Sequence, residues 1–115
     1  MKIEDITKLL EGKMVTSCNH PSLNVERGFA SDLMSDVLTL GSCEDVILIT
    51  GLANIQTIRT AEVAGLNHVA LVRGKKASGE MIALAEENDI VIVETAFSAF
   101  RTSSVLHHAG IGSIY

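Results

Sequence analysis

Paired cysteines, aromatic bulk, basic excess and long apolar runs are all scarce in this chain, and each scarcity excludes a class of protein. The two cysteines, Cys18 and Cys43, stand apart with no Cys-x-x-Cys pair. They read as reduced thiols rather than as a disulfide framework or a zinc site. Tryptophan is absent and aromatics make up 3% of the residues, so the core must be built from Ile, Val, Leu and Ala, a composition that suits α/β layers. Nine basic residues against fourteen acidic ones leave a net charge of −5. That balance argues against nonspecific attachment to nucleic acid or to an anionic membrane. No apolar run approaches the ~20 residues of a membrane span, and Met1 leads into an amphipathic pattern rather than a signal-peptide core. The expectation is a cytoplasmic protein. Pro21 is the single proline, and no linker or low-complexity segment divides the chain. Residues 1–115 are therefore expected to form one domain, long enough to bury a core without staples.

What the chain does contain is a repeat. The run VILITG begins at Val46, VALVRG at Val69 and VIVETA at Val91, at offsets of 23 and 22 residues. Each run is followed by a helical segment, and Gly65, Asn88 and Gly110, again 23 and 22 apart, are placed as left-handed helix stops. Three consecutive βα units follow from this spacing. The runs are β-branched and nearly continuous in apolarity, as parallel strands covered by helices on both faces are. Right-handed crossovers then bring the three strand ends to one edge of the sheet. The expected fold is a three-layer α/β domain with a mainly parallel sheet.

The first 45 residues are less regular. Ile3, Ile6, Leu9 and Leu10 form a helical stripe that Gly12 stops, and residues 13–17 suggest a short strand. Leu33, Met34, Val37 and Leu38 form a second stripe, with Asp32, Ser35 and Asp36 turned to water and Ser31 placed as a cap. Between the stripes lies a loop around Pro21, with a short strand suggested near Val25 to Phe29.

The glycine turns and the cationic Arg73-Gly74-Lys75-Lys76 raise the question of a phosphate site. A Walker loop is excluded, because Val69 stands at its first glycine and Lys76 at its hydroxyl position. A dinucleotide fingerprint is excluded too, since Gly51 is followed by Leu52, Ala53 and Asn54. A weaker arrangement survives. Thr50 and Gly51, Arg73 to Lys76, and Glu94 and Thr95 converge on the edge where open α/β sheets bind ligands. Asn54, Ser78 and Ser98 are placed to cap the following helices, aiming backbone N–H groups at that edge. The candidate ligand-binding set is Thr50, Gly51, Asn54, Arg73, Gly74, Lys75, Glu94 and Thr95. A solvated cationic loop is the plainer account of the same residues.

Other reactive side chains carry less. Cys18 and His20 offer two metal ligands, which is not a site. His107 and His108 point ~100° apart on a helix and do not clasp one ion. No serine lies in a nucleophile elbow. Neither a metal nor a cofactor is expected, and no catalytic residue is assigned.

The block GFASDLMSDVL at Gly28 to Leu38, the Asn54-Ile55 pair, VALVRGKK and the closing ETAFSAF together resemble the DRTGG domain, over essentially the whole chain. Relatives of that family occur as regulatory segments of some phosphotransacetylases and within some CBS-domain pyrophosphatases, and the fold is similar to the N-terminal domain of HPr kinase/phosphorylase. The resemblance implies a regulatory or assembly module, commonly dimeric, whose chemistry belongs to other domains. The named family residues are altered: Gly51-Leu52 replaces the Asp-Arg pair, and Val72-Arg73-Gly74 keeps only the glycine Gly74 of the Thr-Gly-Gly run.

The resulting expectation is a non-catalytic regulatory or interaction module that senses a small anionic or phosphorylated metabolite and has room for a protein partner. The competing class is a small enzyme acting on a phosphorylated substrate, with Arg73 and Lys75 stabilising charge and Glu94 as acid or base. Convergence of Arg73 and Glu94 in one pocket would favour the enzyme. Phe100, Val105 and Leu106 fan over roughly 220° of the last helix, more than a sheet-facing stripe needs. With the uncharged tail Gly110 to Tyr115, this suggests a homodimer built from that surface. The alternative is that the tail folds back as an edge strand of its own sheet.

Overall fold

The computed structural model describes residues 1–17, 24–41 and 43–115. Cys18, His20 and Pro21 lie outside the described residues, and with them the two-ligand reading of Cys18 and His20. The chain runs α1 (Ile3–Leu9), β1 (Lys13–Met14), β2 (Arg27–Ala30), α2 (Met34–Val37), β3 (Val46–Thr50), α3 (Ile55–Ala64), β4 (His68–Leu71), α4 (Gly79–Glu87), β5 (Val91–Glu94), α5 (Ala99–His108) and β6 (Gly112–Ser113). The six strands lie in the order β1-β5-β4-β3-β2-β6. β1 is antiparallel to β5, and every other pair is parallel.

Chirality decides where the helices go. From β2 to β5 the chain steps across the sheet in one direction, so right-handed crossovers place α2, α3 and α4 on the same face. From β5 it returns to β6 at the far edge, and the reversal puts α5 on the opposite face with α1. Alternation along the strands matches this arrangement. Val46, Leu48, Val69, Leu71 and Ile92 pack with Val37, Ile58, Ala61, Met81 and Ala85 on one side. Ile47, Ile49, Ala70, Val91 and Val93 pack with Ile3, Ile6 and Leu106 on the other. All residues of β3, β4 and β5 are buried, as the continuous apolar runs predict. The fold is the mainly parallel three-layer α/β architecture expected, with one more βα unit than the repeat announces. β2 and α2 form that unit.

The three predicted caps are present. Asn54 accepts from Thr57 N, Ser78 from Met81 N and Ser98 from Arg101 N. Gly65 and Gly110 take the positive φ expected of them, 78° and 110°. Asn88 does not: its φ is −112°, and Asp89, at 56°, makes the reversal instead. The Asn88 amide donates to Leu84 O at 2.9 Å, which holds it on the helix and passes the left-handed position to the next residue. Gly12 is more than a helix stop, because a Cβ there would come within 2.5 Å of Glu94 O.

The second apolar stripe differs from its reading. α2 is a single turn of four residues, too short to present one. Leu33 lies outside it in extended conformation, and Ser31 accepts from Leu33 N at 3.0 Å in a tight turn instead of capping a helix. Val37 is buried, whereas Leu33 and Leu38 are 58% and 52% exposed. Leu9 of the first stripe is also partly exposed, at 40%. The tail takes the alternative course. β6 pairs in parallel with β2, Arg27 opposite Gly112 and Gly28 opposite Ser113, and Tyr115 meets Phe29 edge-on with ring centroids 6.0 Å apart.

These burials set unequal costs. Leu48→Ala, in the buried centre of β3, should lose about 2–5 kcal/mol, whereas Leu38→Ala should lose less than about 1 kcal/mol. Urea unfolding of the two variants checks the order; equal losses would contradict the packing of α2.

Candidate functional site

Parallel pairing brings the carboxyl ends of β2, β3, β4 and β5 to one edge, and four short connections leave from it. The connection after β2 carries Asp32. Its Oδ1 accepts from the Thr50 hydroxyl at 2.8 Å and from Gly51 N at 2.8 Å, so this carboxylate ties the end of β2 to the end of β3. The Gly51 N–H, then the Thr50 hydroxyl, hold its pKa below the usual carboxylate value, against a smaller desolvation penalty and with a further contribution from the Arg73 charge. Thr50 is 1% exposed and also accepts from Leu52 N at 3.2 Å, so the hydroxyl is fully engaged.

The connection after β4 is a tight turn, closed by Lys75 N donating to Val72 O at 3.2 Å. Arg73 and Gly74 both have positive φ, 56° and 71°. For Gly74 that costs little; for Arg73 it is uncommon and persists only where neighbours impose it. Here they do. Arg73 N donates to Phe97 O at 2.7 Å and Gly74 N to Thr95 O at 3.0 Å. The backbone donors of this turn are therefore occupied, and what it offers a ligand is its side chains. Lys76 turns elsewhere, 3.5 Å from Glu94 Oε1 with a side chain 75% exposed, a pair of little energetic consequence.

Glu94 is 8% exposed and accepts from Ala77 N at 2.8 Å, securing the approach to α4. Thr95 donates to Leu10 O at 2.7 Å and accepts from Phe97 N at 3.1 Å, strapping the end of α1 to the edge. Asn54 is taken up by Thr57, whose N and Oγ1 lie 3.0 and 3.2 Å from its Oδ1.

A cleft of about 360 Å³ opens between these connections, lined by Asp32, Gly51, Leu52, Arg73, Lys75 and the first residue of α5, with Val72 beneath. Of the residues singled out in the sequence, Gly51, Arg73 and Lys75 line it. Thr50 stands behind it through Asp32, and Gly74 shapes the turn. Glu94, Thr95 and Asn54 do not line it, so Arg73 and Glu94 do not share this cleft. The helical spacing of the sequence places Asp32 on the wet face of a helix, away from this edge. The signal that finds it is β2 itself: once that strand is parallel to β3, a residue two places past its end belongs to the same edge.

A second concavity, about 250 Å³, lies between β2, β6 and α5, with Ile49, Leu106 and Ile111 in its lining and His107 and two serines as its polar groups. It holds no charged pair comparable to that of the edge cleft. Among the described residues no three His, Cys, Asp or Glu side chains cluster as metal ligands, and no helix is long and apolar enough to cross a membrane.

No family model matches the chain, and no curated protein matches it. Its fold does have a counterpart among solved structures. The crystal structure of the CBS and DRTGG domains of the regulatory region of Clostridium perfringens pyrophosphatase, complexed with the activator diadenosine tetraphosphate, superposes with a TM-score of 0.69 over 91% of this chain at 16% identity. The fold is DRTGG-like. The match covers 45% of that solved chain, and at this identity the likeness is one of fold. The counterpart is a regulatory region that binds a nucleotide.

The Asp32 clamp has a measurable pH signature. Its folded-state pKa is lowered, so its stabilisation is complete above the unfolded carboxylate pKa of about 3.9 and disappears as pH falls through the folded value. Asp32→Asn should therefore be less stable than the wild type at pH 7, with a gap that narrows below about pH 4. Urea unfolding between pH 3 and 7 reads it directly, and a gap independent of pH would show that the carboxylate charge plays no part.

Proposed function

We propose that residues 1–115 act as one non-catalytic, cytoplasmic regulatory module that senses a small anionic metabolite in the carboxyl-edge cleft. The observation that carries this reading is the Arg73 turn. A cationic residue is held at positive φ by the hydrogen bonds that Arg73 N and Gly74 N donate to the Thr95–Phe97 connection, beside Lys75 and facing the start of α5. The first-turn N–H groups of a helix have no intrahelical acceptor and favour negative charge. Ser98 takes only that of Arg101, leaving that of Ala99, which lines the cleft. The regulatory role of the fold's counterpart supports the same reading.

The enzyme alternative draws less support. Its acid or base, Glu94, is committed to Ala77 N and lies beside Lys76 rather than in the cleft. A homodimer remains part of the proposal on a narrower basis than the whole tail. With β6 in the sheet, Phe100 and Tyr115 stay 86% and 82% exposed, and these are the apolar side chains that a second copy would cover. Light scattering should then give twice the chain mass of 12.3 kDa, and Phe100→Asp should reduce it to one; a wild-type monomer at tens of micromolar would remove dimerisation from the account.

For the ligand, thermal shift with inorganic phosphate, methyl phosphate, ribose 5-phosphate, AMP and ATP is the direct screen. A phosphate compound should raise the melting temperature of the wild type, and Arg73→Ala should weaken binding about tenfold or more, the scale of one lost charge-assisted hydrogen bond. No shift with any compound, or shifts indifferent to Arg73→Ala and Lys75→Ala, would contradict the proposal. So would tight binding of ATP abolished by Lys75→Ala, since the turn lacks a triphosphate cradle.

A further inference from the structure

Two cations and a carboxylate line the edge cleft without closing on one another. Arg73 and Lys75 form no ion pair among the described residues, although the Arg73 charge is felt at Asp32. The carboxylate is fixed and half used. Oδ1 accepts from Thr50 and Gly51, which leaves Oδ2 with no hydrogen-bond partner among the described residues. An ionised acceptor is thus held at the rim of a site whose other charges are positive. A bare anion placed between Arg73 and Lys75 would also be repelled by Asp32. A ligand that brings a hydroxyl donor with its anion turns that repulsion into a hydrogen bond.

We propose that Asp32 Oδ2 is the hydroxyl-reading group of the cleft, so that the preferred ligand is a phosphate ester with a neighbouring hydroxyl, of the sugar-phosphate class, rather than a bare anion. The inference rests on the anion reading of the same cleft and adds its selectivity. The dimensions agree: about 360 Å³ is at the low end of small-molecule sites, which run from roughly 300 to 1,000 Å³. That suits one sugar phosphate better than a dinucleotide. Leu52, Val72 and Ala99 supply apolar lining against which the carbon face of a sugar packs. Buried polar groups that hydrogen-bond a ligand hydroxyl discriminate strongly against analogues lacking it; Asp32 is exposed, so its discrimination is on the smaller scale of one hydrogen bond to a charged group.

Asp32→Asn is an informative variant, because the Gly51 N–H and the Thr50 hydroxyl both need an acceptor and so hold the amide oxygen in the Oδ1 position. The amide nitrogen then replaces Oδ2, and an acceptor becomes a donor. Isothermal titration of the full chain with ribose 5-phosphate and with methyl phosphate separates the outcomes. The wild type should prefer ribose 5-phosphate by about tenfold, the scale of one hydrogen bond to a charged group. In Asp32→Asn that preference should vanish, with methyl phosphate bound more tightly than by the wild type. Equal wild-type affinities overturn the inference whatever the variant does, as does a preference retained in folded Asp32→Asn; in both cases the anion site stands. If neither phosphate binds the wild type, the anion reading fails and this inference fails with it.

Discussion

All residues of β3, β4 and β5 are buried, so neither face of the central sheet is left to water. A sheet dry on both faces requires a helical layer on each, and right-handed crossovers allow that only if the chain reverses its direction across the sheet. The path from β5 through α5 to β6 is that reversal. It places the start of α5 over the same edge at which β2, β3 and β4 end. The cleft is thus a by-product of covering the core: the two layers that shield the sheet also bring four connections together at its carboxyl edge.

Within that frame, the polar groups at the edge divide into those that hold it and those that remain available. Thr50, Thr95 and Glu94 are nearly inaccessible and hydrogen-bonded to the chain; freeing any of them would leave an unsatisfied buried group. Arg73 and Lys75 are exposed and unpaired among the described residues. Asp32 belongs to both groups: it lines the cleft, with Oδ1 structural and Oδ2 without a hydrogen-bond partner among the described residues. The least accessible carboxylate at the edge, Glu94, is thus held by Ala77 N away from the cleft, while the exposed charges of Arg73, Lys75 and Asp32 line it.

The parts of the fold with the strongest local chemistry are legible in the sequence alone. Three β-branched runs at nearly equal spacing announced parallel strands, and Asn54, Ser78 and Ser98 announced the helix starts by the chemistry of capping. The weak places were those where one residue serves two ends. β2 carries Arg27 and Gly28 and is only half-buried, so its pattern did not read as a parallel strand, and Asp32 lost its place at the edge. Leu33 and Leu38 have helical spacing on a segment with a single helical turn, and spacing alone does not reveal how few turns form. The occupied N–H groups of Arg73 and Gly74 depend on Thr95 and Phe97, more than twenty residues away, a pairing that no local pattern encodes. Of the residues that line the cleft, Gly51, Arg73 and Lys75 follow regular βα runs and are legible in the sequence, whereas Asp32, its only carboxylate among the described residues, follows a strand without such a run.

The central claim is that the ligand sits at this edge, between Arg73 and Asp32. Amide NMR of the full chain during titration with ribose 5-phosphate tests it most directly. The account predicts shifts that saturate and concentrate on Asp32, Gly51 to Ala53, Arg73 to Lys75 and the first residues of α5. Saturating shifts confined to the apolar concavity between β2, β6 and α5, with those edge amides unmoved, would contradict it.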